Sequence, residues 1–461
     1  MVKKYQRYQI HTQKAPNLIS HPHRFKVKVN RLKLAKLLMK EMVHYRGKME
    51  VVLSRPCVYG VFSGPIGGFA PRERLCVGCL RCTTQYPDMV EILHNPAVKQ
   101  QGDDYFTSEH IETIIHEAES GRIPIKGAGY RGKFGGKGWD GMWTDMSEIV
   151  RPTRDGIHGR EYISTQVDIG GKPPYCKFEI PFPQNASIPI PLLFDILPIR
   201  NQTDLTTHHI LVEASRDLKN FTLIPFETMK KLSLRDHAII PVVKPEDFDE
   251  FKNDGLHPHL IEMSSWNPAF FQQIQSHFSH AIPILRIEFD APNLLSYYQA
   301  GVRVFHLTAD YHGRSTSGKF VLDLIREAHH TFVKAKCREE VTLIGSGGMV
   351  AAEHIPKAIL CGLDAIALDT PVLASLQGKF IGQCTNRENS DFKLPSKMNI
   401  DWGKQRLKNM MGAWRDQLIE ILGAMGMREV RRMRGEMGRA MLQTELEREA
   451  FSGIKGYGAN S

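Results

Sequence analysis

The chain predicts an α/β protein centred on a (β/α)8 barrel of the TIM type, preceded by a cysteine-bearing segment and followed by a helical tail. Three observations carry that prediction. Between about residues 186 and 390, short apolar runs alternate with amphipathic stretches, the rhythm of parallel βαβ units. Upstream, three cysteines fall within seven residues, and downstream Lys404 to Gly423 keeps one apolar helical face. A doubly wound open sheet is the alternative reading of the same rhythm.

Composition bounds the rest. With 461 residues, 42% hydrophobic, 24% charged and 38 Gly, the chain is an ordinary folded protein, which excludes wholesale disorder, collagen and a disulfide scaffold. Its formal charge of +10 is unevenly placed: residues 1–40 hold eleven Lys or Arg and no acid, leaving 49 bases against 50 acids beyond them. A near-neutral body argues against nucleic acid as a partner, whereas a basic start suits an acidic protein. The longest apolar candidate, Ile188 to Ile199, is broken by Pro191, Asp195 and Pro198, so no membrane span is expected. The start lacks an apolar core of a secretory signal and resembles organelle transit peptides only in being basic; the expected location is cytoplasmic.

In chain order, residues 1–50 form the basic arm, where Leu32, Ala35, Met39 and Met42 recur at helical spacing between Val29 and Tyr45. Residues 51–110 carry the cysteines, and 111–185 are a glycine-rich connection. The barrel, 186–390, offers eight apolar runs as strands: Pro191–Leu197, His209–Glu213, Ala238–Val243, His259–Met263, Pro283–Phe289, Val302–Leu307, Val341–Ile344 and Ala365–Leu368. Helical stretches at Pro245–Lys252, Pro268–Phe278, Leu294–Gln299, Gly318–Ala335 and Glu353–Leu360 separate the later ones. Only Asn201–Thr207 lies between the first two, which is short for a crossover helix. In the tail, 391–461, Leu407, Met410, Met411, Trp414, Leu418 and Ile421 share a face until Gly426, and eight of the eighteen Met lie from Met398 onward, suited either to filling a core or to an adaptable partner surface.

Cys76-Val-Gly-Cys79-Leu-Arg-Cys82 has the C-x2-C-x2-C spacing of three ligands of a [4Fe-4S] cluster, close enough for thiolates and amides to wrap one inorganic core. The position where a fourth Cys before Pro would stand reads Tyr86-Pro87, so Cys57, reached through the loop Ser63 to Phe69, is the candidate fourth ligand. A four-cysteine zinc knot, a three-iron cluster without Cys57 and unliganded thiols are the competing readings. A cluster implies single-electron traffic.

Gly127-Ala-Gly129-Tyr-Arg-Gly132 matches G-x-G-x-x-G but runs on into Gly135, Gly136, Gly138 and Gly141, so it reads as a loop rather than a dinucleotide fingerprint. The stretch Val341 to Gly348 is different. There a strand ends in Ser346-Gly347-Gly348 before a helix, and the next strand ends in Asp369-Thr370, the positions at which a (β/α)8 barrel holds a phosphate. A phosphate site beside an iron–sulfur segment makes a flavin the expected cofactor, because a flavin passes electrons in ones and twos.

Ser346-Gly-Gly through Pro356-Lys-Ala-Ile-Leu-Cys-Gly362-Leu-Asp364-Ala-Ile-Ala resembles the phosphate signature of the FMN-binding domain of glutamate synthase. Asp145 to Ser164 resembles the segment leading into that barrel in the smaller glutamate synthase-like proteins, and Trp414 to Gly426 resembles the family's post-barrel segment. The resemblance implies an oxidoreductase acting on CH–NH2 groups: electrons enter at Cys57, Cys76, Cys79 and Cys82, reduce FMN held by Ser346, Gly347, Gly348, Asp369 and Thr370, and leave as hydride to an imine of 2-oxoglutarate and ammonia. Arg286 stands where such barrels aim a Lys at the flavin pyrimidine, and the loop after strand six reads Ala309 to Gly318 where a Gly-Gly-Thr-Gly run is expected. His306, Asp310 and His312 end strand six and suit proton or substrate handling as well as structural roles. The family's post-barrel cysteine group is reduced to Cys384, and neither a glutaminase domain nor its cysteine nucleophile is evident. The implied partners are therefore a protein electron donor such as ferredoxin, a separate source of ammonia, and possible further subunits. The alternatives are a non-catalytic electron-transfer or assembly subunit, or a subunit like the FMN-containing one of glutamate N-methyltransferases.

Overall fold

Eight parallel strands close into a barrel, each paired with its neighbour in sequence and the last with the first. The computed structural model describes residues 8–54, 57–64, 66–98, 101–125, 135–144, 162–171, 184–199, 205–386 and 389–455. The G-x-G-x-x-G run, Cys176 and nearly all of Asp145 to Ser164 lie outside them. In chain order the barrel strands are β1 (Leu192–Phe194), β2 (Thr222–Pro225), β3 (Ile239–Val243), β4 (Leu260–Met263), β5 (Ile282–Glu288), β6 (Val304–Thr308), β7 (Thr342–Ser346) and β8 (Ala365–Leu368). The expected barrel is thus present, and the open-sheet alternative is excluded by the pairing of β8 with β1. These strands read as near-continuous apolar runs because helices outside and side chains inside bury both faces.

Seven of the eight strands lie where the apolar runs put them. The second does not. His209–Glu213 belongs to a helix, Leu205–Leu218, and the strand is the later Thr222–Pro225. The error has a local cause: Ile210, Leu211 and Val212 are consecutive and buried, so that stretch of helix has the apolar density of a strand.

The expected boundaries at residues 50, 110 and 390 do not separate structural units. Phe25–Val29 pairs antiparallel with Val90–His94, so the arm supplies a strand to the cysteine-bearing unit. The arm's helix, Arg31–His44, begins at Asn30, whose side chain accepts from Lys33 N, and seats Leu34 in a core with Phe25, Val27, Val61, Phe62 and Ile92. The helix Ser108–Ser120 spans the second boundary and joins the barrel's hydrophobic core through Ile111, Ile114 and Ile115. The expected tail helix is Ile400–Ala424, with Met410, Met411 and Trp414 fully buried; the methionines fill core space. Among the described residues no helix is long and apolar enough to cross a membrane.

Residues 8–24 are no free extension. Tyr8 Oη donates to Leu218 O at 2.8 Å, Asn409 Nδ2 donates to Gln13 O at 2.6 Å, and Ala15 N donates to Glu119 O at 2.9 Å. Arg406, wholly buried, donates to Ala15 O, Asn17 Oδ1, Ser375 O and Ile115 O, joining the chain start to three other elements. At the N-terminal end of the barrel, a hairpin of Val167–Gly170 with Asn185–Ile188 is tied to Thr342, whose hydroxyl donates to Gly170 O and accepts from Gly170 N.

Candidate functional site

The C-terminal ends of the strands gather a buried charged layer. Asp195 follows β1, Glu262 lies on β4, Arg286 on β5, His306 on β6 and Ser346 at the end of β7. Register places Arg286 beside His306. Arg286 reaches across the barrel to grip Asp195 with two parallel bonds, Nη1 to Oδ1 at 2.8 Å and Nη2 to Oδ2 at 3.0 Å, and Nη1 also donates to Glu262 Oε1 at 3.0 Å. His306 Nδ1 lies 2.6 Å from Glu262 Oε2, and its Nε2 lies 3.1 Å from Ser346 Oγ. The guanidinium is therefore held by two carboxylates rather than offered alone.

Electrostatics follow from that arrangement. Burial opposes ionisation of Asp195, but Arg286 and His306, with the hydrogen bonds from Arg286 and Ile196 N, outweigh it and hold its carboxyl at about 2. Asp369, beyond β8, has no such cation beside it among the described residues. Burial and the nearby Asp195 push it up to about 7, against the pull of hydrogen bonds from Thr370 N and Oγ1. Burial likewise disfavours the Arg286 charge, but Asp195 and Glu262 overcome this and raise its pKa above the ordinary value.

The loop after β7 is built for a close backbone approach. Gly347 and Gly348 have φ of +90° and +72°, and a Cβ on Gly347 would stand 2.5 Å from the carbonyl oxygens of Ala309 and Asp310. Gly348 O accepts from Trp139 Nε1 at 3.0 Å and from the Tyr105 hydroxyl. Among the described residues, nothing accepts from the backbone N–H groups of Gly347, Gly348 and Met349, although all three residues are buried. Buried amides without acceptors are an anion site in waiting, so a phosphate fits here. Asp364, in the same resembling stretch, is instead structural: it accepts from Arg338, Arg434 and Leu343 N, each at 2.8 or 2.9 Å.

The residues after β6 separate by role. His306 points into the charged layer. His312 Nε2 lies 2.7 Å from Asp103 Oδ2, which also accepts from Cys384 N, so the β6 loop is clamped from outside. Asp310 Oδ1 accepts from Arg314 N within the loop. Cys384 Sγ, buried, sits 3.0 Å from Ser390 Oγ.

The four cysteines of the N-terminal unit, Cys57, Cys76, Cys79 and Cys82, line one small cavity with Tyr59, Val61, Phe62, Val77, Leu80 and Ile92. They ring it rather than converge: among the described residues no three His, Cys, Asp or Glu side chains are grouped to hold a single metal ion. Gly78 has φ +67°, and a Cβ there would stand 2.5 Å from the Phe25 ring. Burial, then the negative charge on Cys76, Cys57 and Cys79, push the Cys82 thiol up to about 11. The backbone N–H groups of Gly78 and Thr83 point at Cys76 and Cys82 and favour their thiolates. Such a ring of thiols with amide donors fits an inorganic cluster that brings its own volume.

Sequence reasoning brought together Ser346, Gly347, Gly348, Arg286, Asp369 and Thr370 at one end of the barrel, and the four cysteines at one cavity. It missed Asp195, Glu262, Tyr105 and Trp139. An acid inside an apolar run is a readable signal, and both Asp195 and Glu262 carried it. Tyr105 and Trp139 reach Gly348 from more than 200 residues away, and no spacing rule reports that.

Residues 308–428, from the end of β6 through the helix Ile400–Ala424, match the family model described as a conserved region in glutamate synthase. The archaeal-type glutamate synthase [NADPH] of Dehalococcoides mccartyi is 21% identical over 435 residues, covering 79% of this chain and 86% of that protein. The archaeal-type glutamate synthase [NADPH] of Thermotoga maritima is 32% identical over 104 residues, 21% of this chain and 20% of that one. The archaeal glutamate synthase [NADPH] of Methanocaldococcus jannaschii is 29% identical over 135 residues, 26% and 25% of the two chains.

Proposed function

We propose that this glutamate synthase-like chain is a cytoplasmic oxidoreductase that uses FMN and an iron–sulfur cluster and acts on CH–NH2 groups. The observation that carries the reading is the buried, acceptor-free set of amides at Gly347, Gly348 and Met349, at the barrel position suited to a cofactor phosphate. Ser346, Asp369 and Thr370 would complete that end of the FMN site. When bound, FMN supplies hydride transfer on one side and single-electron exchange on the other.

The remaining work falls to this chain's own groups. Cys57, Cys76, Cys79 and Cys82 would ligate a [4Fe-4S] cluster and receive electrons from a protein donor such as ferredoxin. Arg286, locked to Asp195, would keep a positive edge toward the pyrimidine end of the flavin. His306, whose ring lies between Glu262 and Ser346, would hold a proton at Nε2 beside the glycine loop. The implied reaction is reduction of an imine of 2-oxoglutarate and ammonia, with a separate subunit supplying ammonia.

Anaerobic purification with an absorption spectrum and iron, sulfide and flavin analysis tests this directly. Flavin bands with a broad iron–sulfur shoulder are expected; a colourless protein holding only zinc would sink it. The engaged Arg286 and the clamped β6 loop favour one second reading, a cofactor-bearing electron-transfer or assembly subunit, including the kind found in glutamate N-methyltransferases. A fully loaded protein that forms no glutamate from 2-oxoglutarate, ammonia and reduced donor would select that second reading.

A further inference from the structure

The carbonyl of Gly348 is held twice, by side chains from two segments far away in the chain. Trp139 Nε1 donates to Gly348 O at 3.0 Å, and the Tyr105 hydroxyl donates to the same oxygen. Both donors lie outside residues 308–428, the stretch that matches the family model. One donor is enough to satisfy a buried carbonyl, whereas two, one on each lone pair, also fix its direction.

That direction governs the other end of the same peptide. A trans peptide is planar with its C=O and N–H opposed, and the N–H paired with Gly348 O is that of Met349. It is one of the three buried amides, with those of Gly347 and Gly348, that have no acceptor among the described residues. Drawing the oxygen toward Trp139 and Tyr105 therefore turns the Met349 N–H away from them. Gly348 by itself would leave the choice open, because a glycine at φ +72° moves between backbone basins at little cost.

The two donors are themselves firmly placed. Trp139 is buried, its ring stacks on His354 with centroids 5.4 Å apart, and its backbone carbonyl accepts from Lys357 Nζ at 2.6 Å. The Tyr105 ring stacks on His312 at 5.3 Å, and its N–H donates to Asp103 Oδ1 at 2.9 Å. Asp103 also accepts from Phe106 N and Cys384 N and lies 2.7 Å from His312 Nε2, so one carboxylate joins the Tyr105 segment to the β6 loop and to the chain beyond β8.

We propose that Trp139 and Tyr105 are positioning residues for the cofactor phosphate: by fixing the Gly348 carbonyl they hold the Met349 N–H, with those of Gly347 and Gly348, ready for a phosphate monoester. The proposal rests on the FMN reading above and deepens it, placing part of the phosphate site's preorganisation in residues upstream of the barrel.

The test compares FMN with riboflavin, which has the same ring system and lacks the phosphate. Full-length protein stripped of flavin is titrated with each at neutral pH, read by quenching of flavin fluorescence, for the parent, Tyr105→Phe, Trp139→Phe and the double variant. The parent is expected to bind FMN far more tightly than riboflavin. In the double variant the FMN Kd should rise by about tenfold or more, the scale of one charge-assisted hydrogen bond, while the riboflavin Kd stays within about twofold; each single variant should show part of that loss. Both substitutions keep an aromatic ring, and Tyr105→Phe removes one oxygen only, so its comparison stands even where loss of the indole impairs folding. An FMN-to-riboflavin ratio unchanged in the variants, or a loss shared equally by the two flavins as general loosening would give, would overturn the proposal and leave the FMN reading intact. A parent that binds riboflavin as tightly as FMN would overturn the FMN reading and the proposal with it, so the parent alone tells the two failures apart.

Discussion

Arg286 is held from both sides of the barrel, and that decides what its loss does. Removing it strands Asp195 and Glu262 without their cation in a buried layer, which costs about 3–5 kcal/mol. Arg286→Met, studied in flavin-free protein by urea denaturation, should lose that much stability, and Arg286→Lys, which keeps the charge but not the two parallel bonds, should fall between. Stability untouched by either change would mean that the guanidinium serves a cofactor alone. Asp369 makes a second residue-scale prediction. Its carboxyl, raised from the ordinary 3.8 to about 7 by burial and Asp195, is protonated in the folded state over a range where the unfolded chain is ionised. Its contribution to stability is therefore present below pH 4 and is lost as the pH rises through 7. Asp369→Asn should flatten the thermal midpoint between pH 4 and 7 and leave the protein more stable than its parent at pH 8. Asp195, held at about 2, acts in the opposite sense and in a separate window, losing its contribution only as pH falls from about 4 through 2.

At the scale of elements, the β7–helix loop and the long C-terminal helix are each fixed by what a glycine lets approach. Gly347→Ala would place a methyl group against two backbone oxygens at a φ of +90°, costing roughly 1–3 kcal/mol in strain. Flavin bound per chain, measured by absorbance after denaturation, should fall sharply; full occupancy would show that the loop does not hold the phosphate. In Ile400–Ala424, Gly403 lets the helix lie on Leu205–Leu218, since a Cβ there would stand 2.3 Å from Ile210 Cδ1. Gly403→Val should destabilise by about 1–3 kcal/mol in urea, and trimming Ile210 to Ala in the same chain should recover part of that. The apolar face of this helix was legible from Leu407, Met410, Met411, Trp414 and Leu418. The helix it packs on was not, because Ile210-Leu211-Val212 imitates a strand.

For the whole molecule, residues 8–24 of the basic start turn out to be a strap. Gln13, Ala15 and Asn17 accept bonds from Asn409 and Arg406, and Arg406 is buried with no carboxylate bonded to it among the described residues. Deleting residues 1–20 removes two acceptors from that buried cation, at about 1.5–3 kcal/mol for each such bond. The thermal midpoint should drop markedly and by the same amount at low and high salt. A solvated arm used only for docking would leave it unchanged.

The barrel, most of its strands, the cysteine run and the glycine loop were all written in local features: two-residue and 3.6-residue periods, fixed ligand spacing and glycines at a strand end. Three outcomes had to wait for the closed fold: Arg286 is neutralised by Asp195 and Glu262, His312 is bound to Asp103, and residues 8–24 are packed against the barrel and its flanking helices. They depend on side chains between twenty and four hundred residues apart meeting when the barrel closes, and closure is a property of all eight strands together.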